Sequence, residues 1–410
     1  MKQNSSPNSS PSSFFRRLFR AQESGLALVV VLAGVLLAIF GGSKPKLISV
    51  PIAADAVVQA TERAISVSRN GASTEYSVAD GWSLRGEPGA QSLARKTTVN
   101  KFLDPDNLVL VAKDASFIAI MAIGMTAIIV MGGIDLSVGS IYALAAIVGA
   151  YALKHLQAGA LGISATGSVT GEGGAAWFMS IPVGIGVCCL VGAVCGLANG
   201  AMIVGLRVHP FVITLGTMAV IRGAVFLVTR GDSIVGFPSS FTSGFFKAPI
   251  MGVNPVPVFV MLVVVAIGGV VLSRTVLGRR AYAIGGNETA AVYAGIPVGR
   301  VKIILYTLCG MLAGLSAAVY LGYLGAASPD AGQGYELPVI AATVIGGASL
   351  SGGRGSAIGA LLGAILIQLI SNAMIILEID TSYTQVVMGA AIVAAVFLDQ
   401  VKTRFMPRGK

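Results

Sequence analysis

The chain has 410 residues, of which 55% are hydrophobic and 11% charged, with 53 glycines and a mean hydropathy of +0.82. Soluble domains carry about 25% charged residues, so the composition excludes a soluble globular protein and indicates an all-α polytopic membrane protein. The formal charge of +10 implies no nucleic-acid partner, because basic excess in a membrane protein gathers in cytoplasmic loops as the orientation signal.

In chain order, a Ser/Pro/Asn-rich leader (1–24) ends in a basic cluster, Arg16, Arg17 and Arg20, ahead of an apolar run. The arrangement resembles a signal peptide, but no A-x-A site follows, so it reads as an uncleaved first span behind a disordered cytoplasmic leader. A span needs about 20 apolar residues and the chain offers about ten: 25–42, 108–131, 136–153, 177–204, 209–229, 255–273, 301–325, 337–350, 356–377 and 383–399. The fifth carries Arg222, and the eighth is short and bounded by Gly346-Gly347 and Gly352-Gly353. Broken segments persist at membrane depth only where protein buries them or they line a cavity, so both are candidates to border a pathway. The loop 274–302 holds Arg274, Arg279, Arg280, Arg300 and Lys302 against Glu288 alone, and a basic tail (401–410) follows the last span. With an even number of spans, this distribution places both termini in the cytoplasm.

One extracytoplasmic loop is out of scale. Residues 43–107 carry eight Lys/Arg and seven Asp/Glu. Trp82, Gly81, Gly86 and Gly89 suggest turns around a small β-rich cap; a floppy insertion is the alternative. Elsewhere, small-xxx-small pairs such as Gly192/Gly196, Gly310/Gly314 and Gly359/Gly363 mark close helix packing.

Three polar stretches interrupt the apolar runs. The first, 278–297, is glycine-punctuated and about one short helix long, G-R-x-x-x-A-I-G-G-N-x-x-A-A-x-x-A-G-I-P. The second, G-G-I-D-L-S-V-G-S at 132–140, holds Asp135 and Ser137. Either residue suits the cap of the third span, while an intramembrane acid is by default a functional candidate; a cap at a helix break can also border a pathway. The third, 332–355, opens with G-Q-G-Y-E-L, whose Glu336 reads as a cap, a docking contact or part of the mouth. Lys113 and Asp114 project about 100° apart on a helix, and Arg222 needs a carboxylate or carbonyl partner as an internal brace.

Nothing points to chemistry within the chain. There is no Walker A pattern, Gly285-Gly286-Asn287 is too short for a phosphate cradle, and the two histidines (His155, His209) and four scattered cysteines (Cys188, Cys189, Cys195, Cys309) have no metal-ligand spacing. No catalytic residue, cofactor or metal is implied.

The segments G-I-D-L-S-V-G-S, A-I-G-G-N-E, K-I-I-x-Y-x-L-C-G and G-Y-E-L, in this order, resemble the permease subunits of ribose/xylose-type monosaccharide ABC importers from about Asn107 to Asp399, together with the first span. Insertion 43–107 departs from that pattern. The resemblance implies a homodimer in a bacterial inner membrane, with a pathway near its twofold axis. It also implies a periplasmic sugar-binding protein and ATPase subunits on separate polypeptides docking at 278–297. The coupling residues would be Gly278, Arg279, Arg280, Ala283, Gly285, Gly286, Asn287, Glu288, Ala290, Ala291, Gly295 and Ile296. Among these, Arg279, Arg280 and Glu288 would form the rim and Ala290, Ala291 and Ile296 the apolar seat. A solvated loop that merely orients the chain is the plainer reading. Candidate pathway residues are Thr126, Asp135, Ser137, Asn199, Thr214, Thr217 and Glu336; Asn199 and Thr214 equally suit helix–helix hydrogen bonds. Besides membrane lipid, no further partner is implied. The competing classes are a permease for another small solute such as an amino acid, a proton-coupled secondary transporter using Asp135 or Asp114, and a receptor-like scaffold.

Overall fold

The computed structural model describes residues 22–53, 55–69, 72–86, 91–161, 175–250, 252–380 and 382–405. The proposed leader up to residue 21, Gly89, the loop 162–174 and the tail after 405 lie outside them. The described chain divides into two compact units, one formed mainly by 109–375 and the other by 34–108 with 376–378.

The larger unit is helical. Its elements are α1 (Gln22–Phe40, shared with the second unit), α2 (Pro105–Val130), α3 (Val138–Leu161), α4 (Ala175–Leu206), α5 (Pro210–Thr229), α6 (Val256–Arg274), the short α7 (Val276–Gly286) and α8 (Glu288–Tyr293), α9 (Val298–Leu324), α10 (Glu336–Ile345), α11 (Ala357–Ile376) and α12 (Tyr383–Phe405). Among the described residues, eight helices are long and apolar enough to cross a membrane: α1 to α6, α9 and α11. The fold is therefore that of a mostly helical polytopic membrane protein.

From Ala115 onward α2 carries no charged residue and is apolar on nearly every face, as expected of a helix surrounded by protein, and every residue from Ala115 to Val130 is buried. Around it, helices approach through small residues rather than large ones, because lipid supplies no hydrophobic force between helices. Gly192 on α4 meets Gly310 on α9 so closely that a Cβ would lie 2.1 Å from the Gly310 carbonyl oxygen, and Gly363 on α11 meets the carbonyl of Ala342 on α10 at 1.9 Å. The spacings that predicted close packing thus face one another directly.

The expected eighth span, 337–350, is not a spanning helix. Helix α10 has only 10 residues, a rise of about 15 Å against a hydrocarbon core of about 30 Å. Gly346, Gly347, Gly352, Gly353 and Gly355 continue it as irregular chain, four of them with positive φ. A helix cannot persist through such backbone. Ahead of α10, β7 (Ile234–Val235) pairs with β8 (Ala326–Ala327) in a two-residue ladder.

Arg222 has the carbonyl partners that its burial demands: Nη1 donates to Pro329 O (3.0 Å) and Ala331 O (2.9 Å). Lys113 and Asp114 diverge as their spacing requires. Lys113 Nζ donates to Tyr323 Oη at 2.7 Å, and Asp114 Oδ2 accepts from Gln368 Nε2 at 3.3 Å.

The smaller unit is built of strands, as the β-rich reading of 43–107 had it and unlike the helical remainder. It contains β1 (Ser43–Pro51), β2 (Val57–Ala60), β3 (Ala64–Arg69), β4 (Ala72–Ser77), β5 (Trp82–Arg85) and β6 (Ser92–Asn100), arranged as two antiparallel sheets of order β1-β6-β5 and β2-β3-β4. Ile65, Leu93, Ala94 and Phe102 are buried, and Tyr76 packs edge-on against Trp82 at 5.1 Å. Ion pairs add to the ladders. The buried Asp104 carboxylate takes Lys46 at 2.5 Å and Lys44 at 2.9 Å, and Lys101 reaches Glu378 at 2.6 Å. Strand β1 is a sheet edge carrying Pro45, Pro51, Lys44 and Lys46, residues that remove donors and repel further strands.

Candidate coupling segment and the buried polar cluster

Between α6 and α9 the chain forms two short helices rather than the single one expected, because it carries two cap residues. Thr275 Oγ1 accepts from Gly278 N at 3.2 Å to start α7, and Asn287 Oδ1 accepts from Ala290 N at 2.9 Å to start α8. Each cap satisfies an amide that the helix itself leaves free. Gly295, at φ 78°, then turns the chain into α9.

The glycines of this segment are structural. A Cβ on Gly285 would lie 1.8 Å from Val130 O and 2.6 Å from Gly353 N, so α7 rests backbone to backbone on the end of α2. Gly353 N donates to the same Val130 oxygen at 2.8 Å, and Tyr282 Oη donates to Gly355 O at 2.6 Å. Helix α7, helix α2 and the glycine-rich 346–355 stretch therefore meet at one point. Gly278 is likewise buried, 2.2 Å from Leu272 O by the same measure.

Exposure sorts the remaining candidates. Arg279, Arg280, Ala283, Gly286, Asn287, Glu288, Ala290 and Gly295 face outward, while Ile296 is half-buried. Ala291 is not part of an outward apolar seat: it is 4% exposed and packs inward, and its carbonyl accepts from Ile296 N at 3.0 Å. Beside Ala290, the outward apolar residues of α8 are Val292 and Tyr293, the latter 87% exposed. Sequence reasoning passed over Tyr293, although a tyrosine ending a short polar helix was visible there. Glu288 pairs with Lys302 at 2.7 Å.

A second cluster forms at the α2–α3 break. Asp135 is fully buried, and its Oδ1 accepts from both Ser137 N (2.8 Å) and Ser137 Oγ (2.6 Å). Asn199 Nδ2 on α4 donates to Ser137 Oγ at 2.8 Å, and Tyr306 Oη on α9 donates to Ile134 O at 3.2 Å. Asp135 thus closes a turn on Ser137 just ahead of α3 rather than accepting from an amide inside that helix, and the surrounding bonds reach α4 and α9, with Oδ2 left without a partner. Asn199 makes the interhelical bond that its residue type allowed. Tyr306 is the tyrosine of the K-I-I-x-Y-x-L-C-G segment, whose pattern marks the residue without indicating this partner.

The other pathway candidates do not join this cluster as ligands. Thr126, Thr214 and Thr217 each donate to a carbonyl of their own helix, at 2.6, 3.0 and 3.2 Å respectively. Glu336 is the first residue of α10 rather than its cap, and its Oε1 would lie 2.6 Å from a Cβ on Gly139. The second and third sequence signatures therefore touch through a glycine.

The helical unit, with its eight candidate spans, defines a polytopic membrane protein. The chain matches the family described as branched-chain amino acid transport system / permease component over residues 107–396, and it belongs to that family. It is 39% identical to the ribose import permease protein RbsC of Bacillus subtilis, over 74% of this chain and 87% of that protein. It is 37% identical to the D-allose transport system permease protein AlsC of Escherichia coli K12, over 73% and 85%. It is 33% identical to the autoinducer 2 import system permease protein LsrC of an Enterobacter species, over 73% and 80%. No solved structure matches.

Proposed function

We propose that the chain is the permease subunit of an ABC importer in a bacterial inner membrane. It passes a monosaccharide delivered by a periplasmic binding protein, as a homodimer driven by ATPase subunits on separate polypeptides. The observation that carries this reading is the rigid mounting of α7 and α8. A partner that hydrolyses ATP can move the permease only through an element that transmits displacement, and Gly285 against Val130 leaves no slack between that element and α2. Differential contact with α8 in two partner states would shift the inward/outward equilibrium. The likeness to permeases named for ribose and allose supports the sugar, and the amino-acid alternative draws only on the family's description.

The proposed topology has ten crossings, both termini cytoplasmic and 43–107 outside. The eighth crossing consists of α10 followed by the glycine-rich stretch to 355. Irregular backbone is tolerated at membrane depth where protein covers it; Gly346, Ala348 and Ser349 are buried, and the contacts of Gly352 and Gly353 with α7 support an end on the cytoplasmic side.

The test is uptake by vesicles containing the permease, its ATPase and its binding protein, across a sugar panel, for wild type and Tyr293→Asp. ATP-dependent accumulation of one monosaccharide, lost in the variant although the permease inserts normally, supports the reading. Accumulation driven by a proton gradient without ATP, and lost in Asp135→Asn, overturns it in favour of a secondary transporter.

A further inference from the structure

Beside the coupling segment lies a half-open cavity of about 780 Å³, bounded by the turn from α4 into α5, by α8 and by the start of α9. That volume falls within the range of small-ligand sites, about 300–1,000 Å³. Two cations line it, Arg207 and Lys302. Arg207 ends α4 in the left-handed conformation at φ 53°, which aliphatic residues rarely adopt. Its guanidinium has no hydrogen bond or ion pair among the described residues. Lys302 gives Glu288 one hydrogen bond at 2.7 Å, leaving two of its three donors. Glu288 is the only carboxylate in the lining, and Lys302 already neutralises it. The lining is otherwise largely apolar, and Ile203, Val204 and Val298 lie within a turn or so of the two cations on the same helices.

We infer that this cavity is a site for a phosphate group on a small organic carrier, gripped by Arg207 and Lys302, with the carrier against Val204 and Val298. The guanidinium fork suits two phosphate oxygens at once, and charge-assisted bonds of this kind are the strong ones. Two sources carry that chemistry: the headgroup of an anionic phospholipid, and a soluble phosphate ester. An occupant competes with Glu288 for Lys302, so it would loosen the tie between α8 and α9. The inference goes beyond sugar transport and relies on the proposed topology only for which leaflet or compartment supplies the ligand.

Hydrogen exchange at 203–210 and 298–302 reads occupancy in the full-length permease, first in phosphatidylcholine nanodiscs with and without phosphatidylglycerol. The second arm is detergent solution with and without glycerol phosphate. Protection that rises with either probe, and needs at least about tenfold more probe in Arg207→Gln, supports the site. Response to phosphatidylglycerol alone assigns the membrane as source, and response to glycerol phosphate assigns solution. Glu288→Gln, which releases Lys302, should respond at lower probe than wild type. An equal response in wild type and Arg207→Gln would mean generalised surface charge and would overturn the site. So would an equal loss of response in Arg279→Gln/Arg280→Gln, and so would no response to either probe.

Discussion

The helical unit and the β unit solve the same problem, holding chain segments together, by opposite means. In the first, Gly192 against Gly310 and Gly285 against Val130 bring backbones into direct contact, with few charges. In the second, strands pair through their ladders, and Lys44 and Lys46 converge on Asp104. The difference follows from the solvent. Where lipid is as apolar as leucine, fit between small residues is what remains to hold helices together, whereas a small sheet gains from ordered ladders and short-range charge.

The contrast can be broken from either side. The largest effect is expected for Gly285→Leu: the added side chain has no space beside Val130 O, and overpacking of this kind costs about 1–3 kcal/mol or more. Thermal unfolding in detergent should show a lowered midpoint, and any protein that still inserts should have lost ATP-driven uptake. Gly192→Ala should be milder but in the same direction, read by the same unfolding curve, because only one methyl group meets Gly310. If both variants match wild type, close backbone contact is not what holds the bundle.

In the β unit, the lysines Lys46 and Lys44 hold the Asp104 carboxyl down to about 2. Its folded value lies below the unfolded one, so the pair's contribution is full above about pH 4 and is lost as pH falls toward 2. Asp104→Asn should therefore flatten the acid limb of β-unit unfolding, followed by Trp82 fluorescence, and leave helical content unchanged. The smallest effect belongs to Lys302→Met. Glu288 is 54% exposed and Lys302 21%, and such pairs contribute about 0.2–1 kcal/mol. Its unfolding midpoint should hardly move, unlike that of Gly285→Leu.

Much of this was legible in the sequence. Apolar run length located the long helices, and paired glycines announced where they touch. What was not legible depended on contacts far apart in the chain. Residues 337–350 have the hydropathy of a span, and only their glycines hinted that the helix would stop at Ile345. Ala291 reads as surface in the local pattern but is covered by its own fold. Tyr306 joins the Asp135 cluster across 172 residues, a pairing that periodicity cannot express. Thr126, Thr214 and Thr217 looked available because a hydroxyl in an apolar run suggests a ligand, yet each bonds back to its own helix.

The irregular stretch after α10 also bears on how the protein is made. Gly353 docks on Val130 and Gly352 on Gly285, and both partners precede it in the chain. During synthesis from the N-terminus, the receiving surface is complete before the stretch that needs it emerges. Backbone that lipid could not tolerate therefore has its hydrogen-bond acceptor waiting, and the order of residues along the chain doubles as an order of assembly.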